Sequence, residues 1–230
     1  MKMSRVRPVV VVAALCVVVS CAAFAQTAAE GFGVCKPAAQ KTSPGQPGCW
    51  ILGEQPVGKI DQPQAYWQIE TYPTLAAAEA AKGPHSKVVE SMGKFWLMTI
   101  EQRGWHPPKS GKRMAEIGPL PITAGKEYAA TFMEGIFEPG MTSMIHRHSG
   151  PEAWYVIAGE QCLETPDGKL VGRPGAPPVI VPAGPPMLLT GTGTTQRRAL
   201  TLILHDASQP PTSMEHEWKP KGLCKVAGRE

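Results

Sequence analysis

Clusters of lysine and arginine are missing from this 230-residue chain: the formal charge of +4 includes Lys2, Arg5 and Arg7, and without them it is about +1. A near-neutral surface with 7% aromatics offers no basic stripe for a nucleic-acid backbone, which excludes that class of partner. Also absent are a Gly-rich phosphate loop, a G-x-S-x-G elbow, a C-x-x-C pair and an H-E-x-x-H helix, so enzymes of those kinds are excluded. No apolar run beyond the N-terminus reaches membrane-spanning length. What abounds is turn punctuation. The 24 glycines and 24 prolines are spread along the sequence, which favours many short strands over long helices and predicts a mainly β class.

The first 25 residues combine a basic start, an apolar run over 9–19 and a short stretch ending Ala23-Phe24-Ala25, the pattern of a secretory signal peptide cleaved before Gln26. A lipoprotein signal competes for the same segment, because Val18-Val19-Ser20 precedes Cys21. The mature protein is therefore expected to be periplasmic or secreted, with lipid anchoring at Cys21 as the alternative. Either cut leaves Cys35, Cys49, Cys162 and Cys224 in an oxidising compartment. Two disulfides can form there, in three connectivities. The short intervening loop favours Cys35 with Cys49, and four free thiols are the rival reading.

Residues 26–48 read as a flexible linker, rich in Gly, Pro, Ser, Lys and Gln. Residues 49–116 read as a small N-terminal α+β lobe: strands over 49–52 and 66–69, a helix over 74–82 stopped by Gly83-Pro84, and a hairpin of 86–91 and 94–100 turning at Met92-Gly93. Trp50, Trp67, Trp96 and Trp105 in this lobe are expected in core packing rather than in an aromatic cage. His85 and His106 sit beside prolines, match no ligand spacing, and read as surface residues. Residues 117–206 form a succession of short strands separated by turns such as Glu138-Pro139-Gly140 and Pro182-Ala183-Gly184, the signature of a sandwich or barrel. Residues 207–230 are left as a C-terminal tail.

Two histidines in the barrel segment, His146 and His148, are two residues apart, a spacing that aims both imidazoles at one face of a strand. The Ser149-Gly150-Pro151 turn can fold the chain back and bring Glu152 opposite them. Two imidazoles and a carboxylate suit first-row divalent metals and leave coordination positions open. Arg147 lies between the histidines and is expected on the other face. Trp154 alternates with Glu152 and is expected to wall the pocket.

The run Gly140, five residues, His146-Arg147-His148, three residues, Glu152, six residues, Gly159 resembles the first motif of the cupin superfamily at every signature position. Chance would produce such a match in on the order of one chain in ten thousand. The resemblance implies a jelly-roll β-barrel with a metal site inside its mouth, a small-molecule ligand or substrate, and a homodimer. Pro182-Ala183-Gly184 is similar to the turn of the second motif, but Met187 stands where the family places a third histidine and Gly191 where it places an asparagine. Three outcomes compete: the three remaining ligands hold iron, manganese, nickel or zinc; Met187 contributes a thioether to a soft metal such as copper(I); or the pocket binds its ligand without metal. His205 could supply the missing imidazole, and Met187 otherwise fills the pocket wall. On the enzyme reading the chemistry is oxygenase-like and acts on a small organic molecule. On the binding reading the barrel takes up a sugar, an organic acid or a metal without turnover.

Overall fold

The computed structural model describes residues 34–228, so the signal segment and its cleavage or lipidation site lie outside the described residues. The strands run in order β1 (Lys36–Pro37), β2 (Gly48–Lys59), β3 (Ala65–Tyr72), β4 (Ser86–Ser91), β5 (Lys94–Glu101), β6 (Lys112–Leu120), β7 (Glu127–Phe137), β8 (His146–His148), β9 (Glu152–Ala158), β10 (Gln161–Thr165), β11 (Gly168–Gly172), β12 (Val179–Val181), β13 (Leu188–Gly191), β14 (Arg197–Asp206) and β15 (Thr212–Met214). The helix α1 (Leu75–Glu79) is shorter than the expected 74–82. Thr74 caps it by accepting from the Ala77 N–H, and the chain then tightens into three-residue bonds from Ala81 to Ala78 and from Lys82 to Glu79 before Gly83.

Three layers build the molecule. A six-stranded sheet, β1-β2-β7-β14-β9-β12, lies between a four-stranded sheet, β4-β5-β3-β6, and a third layer made of β11-β10-β13 and the pair β15-β8. Backbone bridges between Thr142 and Thr190 and between His146 and Met187 join the pieces of the third layer. The described residues are mainly β, a jelly-roll β-barrel carrying an accessory sheet and the short helix α1.

Strict alternation along the central strands decides which residue serves which layer. On β7, Ala130 and Phe132 face the four-stranded sheet, while Thr131, Met133, Gly135 and Phe137 face the barrel interior. On β14, Leu200, Leu202 and Leu204 face outward, and Arg197, Thr201 and Ile203 face inward. The outward set meets Trp67, Ile69, Trp96, Met98, Ile100 and Ile117 in one continuous core, with Trp67 and Phe132 at 6.2 Å between ring centres. Trp67 and Trp96 thus pack in the core, as expected, and Trp50 is buried as well. His85 is half-buried beside Glu101, and His106 is exposed.

Three segments depart from the expected partition, each because backbone pairing crosses a boundary drawn from composition. The strand beginning at Gly48 runs to Lys59 and pairs with β7 along its length, so it belongs to the barrel sheet and not to the lobe. The expected linker carries β1, a Cys35–Cys49 disulfide and Lys41, whose ammonium meets the buried Glu134 carboxylate at 2.8 Å. The expected tail supplies β15 and is tied back by a Cys162–Cys224 disulfide. The Glu164 carboxylate also accepts the N–H groups of Lys221 and Leu223. Both disulfides fit an oxidising compartment.

Candidate functional site

Strand β8 is only three residues long, and its alternation turns His146 and His148 into the barrel while Arg147 faces away. Arg147 is fastened outside: its Nε donates to Glu215 and its Nη1 to the Gly184 carbonyl at 2.7 Å. The turn that follows requires glycine. A Cβ on Gly150 would stand 1.9 Å from the Leu204 carbonyl oxygen, so the chain passes directly over β14 and returns as β9 with Glu152 at its start. The second-motif turn is held against the first, because the Gly184 N–H donates to the His148 carbonyl at 3.0 Å.

Each histidine has its Nδ1 committed. His146 Nδ1 lies 2.7 Å from the Met144 carbonyl oxygen, and His148 Nδ1 lies 3.0 Å from that of Pro211, with Thr212 Oγ1 at 3.1 Å. A carbonyl only accepts, so both Nδ1 atoms carry the proton, and in the neutral imidazole each Nε2 presents a lone pair. The rings lie edge to face with centres 4.8 Å apart. His148 Nε2 stands 3.6 Å from Glu152 Oε2, and both atoms are buried without a hydrogen-bond partner.

Burial sets the charges here. His148 is pulled down to about 4, chiefly by burial, with the hydrogen bond to Pro211 opposing the shift and nearby His205 adding to it. His146 is lowered by burial and by His148. Burial pushes the Glu152 carboxyl up, opposed by His146, Trp154 and Arg197. A neutral imidazole nitrogen and a carboxyl oxygen thus face each other in a buried site. That arrangement calls for a proton or a cation between them.

These residues open on a cavity of about 260 Å³ between the six-stranded sheet and the third layer. His146, His148 and Glu152 line it, together with apolar groups such as Ile51, Met133, Leu189 and Ile203. Met187 and Trp154, expected on the pocket wall, are buried in an apolar cluster with Leu163 and Val181 that adjoins the cavity and shares Phe137 and Leu189 with it. The Trp154 indole N–H favours the ionised form of Glu152. His205 is turned to the Asp206 and Gln209 carbonyls and does not line the cavity. Met187 stands directly across a backbone bridge from His146, and His205 lies close enough to His148 to lower its pKa. Among the described residues, no group of three or more His, Cys, Asp or Glu side chains stands at the spacing of a formed metal cluster.

Sequence reasoning missed two contributors. One is the 210–214 segment, whose Pro211 carbonyl orients His148 and which lines the cavity with Thr212 and Met214. The other is Arg197, buried at the start of β14 and aimed inward. A signal for Arg197 is present in the sequence: period two from Ile203 through Thr201 and Ala199 reaches Arg197, a charge on an inward face.

No family model matches the chain, and no curated protein does. Similar solved structures include a cupin-like protein from Thermotoga maritima, at 15% identity and TM-score 0.34 over 37% of this chain and 64% of that one. A cupin domain from Bordetella pertussis is 22% identical, at TM-score 0.29 over 38% of this chain and 91% of that one. Oxalate oxidase in complex with the substrate analogue glycolate is 20% identical, at TM-score 0.32 over 37% of this chain and 45% of that one. The chain thus spans just under two thirds of the Thermotoga protein and under half of the oxalate oxidase. The resemblance is to cupins, over little more than a third of the chain. Among the described residues, no helix is long and apolar enough to cross a membrane.

Proposed function

We propose that this chain is an exported, metal-dependent cupin whose His146, His148 and Glu152 hold one divalent first-row ion and whose cavity receives a small organic molecule. The observation that carries this reading is the facing pair of buried, partnerless acceptors, His148 Nε2 and Glu152 Oε2, beside a second imidazole with its Nδ1 also tied to a carbonyl. Metal-ligating histidines characteristically have the far nitrogen fixed in this way, which sets the tautomer and strengthens the donor. Nitrogen and carboxylate donors suit iron, manganese, nickel or zinc. Copper through a thioether is the less favoured choice, because Met187 is packed among apolar side chains, the ordinary role of a core methionine.

A bound ion would act as a Lewis acid and leave positions for oxygen or substrate, so the chemistry favoured is oxygenase-like. The chain's own contribution is positional. The Met144 and Pro211 carbonyls orient the imidazoles, and apolar side chains keep the cavity dry. The rival function is binding without turnover, and the missing fourth ligand favours it.

Elemental analysis of protein purified without added metal tests the site. About one equivalent is expected in the wild type, with nearly all of it lost in His146→Ala and Glu152→Ala. Full metal content in those variants rejects the site. Oxygen consumption against phenols, diketones and thiols then separates the two functions, since an enzyme loses its rate in both variants and a binder has none.

A further inference from the structure

Arg197 is a charged side chain that the metal reading does not use. Its guanidinium lies against Gly135, where a Cβ would stand 2.0 Å from Nη1, and over the Phe137 ring at 5.1 Å. It is almost fully buried, yet its Nε and Nη2 have no hydrogen-bond partner and no carboxylate lies within ion-pair distance among the described residues. A structural arginine in a core normally spends its donors on carbonyls or carboxylates, since an unpaired buried charge costs several kcal/mol. Glu152 is its nearest electrostatic counterweight, and a carboxylate engaged by a metal cannot also neutralise a guanidinium beyond ion-pair reach. Burial drags Arg197 down to about 9, so it remains charged at neutral pH.

The geometry points to a carboxylate-binding subsite: we propose that Arg197 anchors the carboxylate of a small ligand whose apolar body lies against Ile51, Met133, Leu189 and Ile203. The planar fork of a guanidinium matches a carboxylate in two parallel hydrogen bonds. Thr131 Oγ1, also buried without a partner and on the same inward face of β7, provides another polar atom on the wall. The cavity volume sets the size. At about 30 Å³ per water-sized group, 260 Å³ holds roughly nine non-hydrogen atoms, the size of a single-ring or branched monocarboxylate. A sugar does not fit this chemistry, because the wall offers one cation and mostly apolar surface rather than a ring of hydrogen-bonding groups.

Benzoate and its neutral isostere benzamide test the subsite by calorimetric titration of the full chain, in both metal-loaded and chelator-treated protein. Benzoate is expected to bind at least tenfold more tightly than benzamide, and Arg197→Met is expected to erase that difference. Because Arg197 is buried, a second variant guards against misfolding: Gly135→Ala leaves the arginine in place and displaces its guanidinium, and it should reduce the preference likewise. Equal binding of the two probes, binding of neither, or an undiminished preference in folded Arg197→Met overturns the inference. The metal and anion readings fail separately. Normal metal content without benzoate preference removes only the anion subsite, whereas benzoate preference in a protein that binds no metal leaves the subsite standing without the metal.

Discussion

At the scale of single residues, position within the strand period outweighs residue type. Met187 stands where the resembling family carries a ligand, yet it is fully buried beside Trp154, Leu163 and Val181. Met187→Leu is therefore expected to leave metal content unchanged and to cost less than about 1.5 kcal/mol of stability, since the swap conserves volume. Loss of bound metal in a folded Met187→Leu protein contradicts this placement. The histidine pair and Glu152 were legible because strand alternation and a Gly-Pro turn determine where they point. Trp154 lies on the same face of β9 as Glu152, as that alternation predicts, and packs in the apolar cluster that adjoins the cavity.

Among the elements, the least expected is the segment around β15, which composition marks only as a tail. Its pairing with β8 places the Pro211 carbonyl on His148 and is reinforced from outside by Arg147 to Glu215. The backbone N–H of Glu217 and the Arg147 guanidinium hold the Glu215 carboxyl down to about 2 from an ordinary 4.5. A depressed carboxyl stabilises only when ionised, so its contribution is complete above pH 4.5 and is lost as pH falls toward 2. Trp218 follows Glu217 directly, and its own N–H also reaches Glu215. Its fluorescence should hold steady down to pH 4.5 and change below it, while Glu215→Ala should show the released signal already at pH 7. Identical traces for the two proteins contradict the latch. A short strand that pairs across some 65 residues leaves no local periodicity to read, unlike β7 or β14, whose alternation names both partners.

For the whole molecule, the lobe and the barrel share a core. Trp67 and Trp96 from the accessory sheet meet Phe132 and Tyr155 from the central sheet. Phe132→Ala is expected to cost about 3–5 kcal/mol and to lower the melting of both sheets together in one calorimetric transition. Two separated transitions would show instead that the sheets fold independently. Sequence periodicity revealed most strands and the β class, and the short intervening loop favoured the Cys35–Cys49 bridge that forms. Periodicity did not reveal that β2 crosses into the barrel sheet, because an apolar strand does not announce its partner.

The central claim is a metal held by two imidazoles and one carboxylate without sulfur. X-ray absorption on the zinc-loaded protein measures that ligand set directly. Nitrogen and oxygen scatterers at about 2.0–2.2 Å with the outer-shell pattern of two imidazoles are predicted. A sulfur shell near 2.3 Å, or a pattern with one imidazole or none, contradicts it.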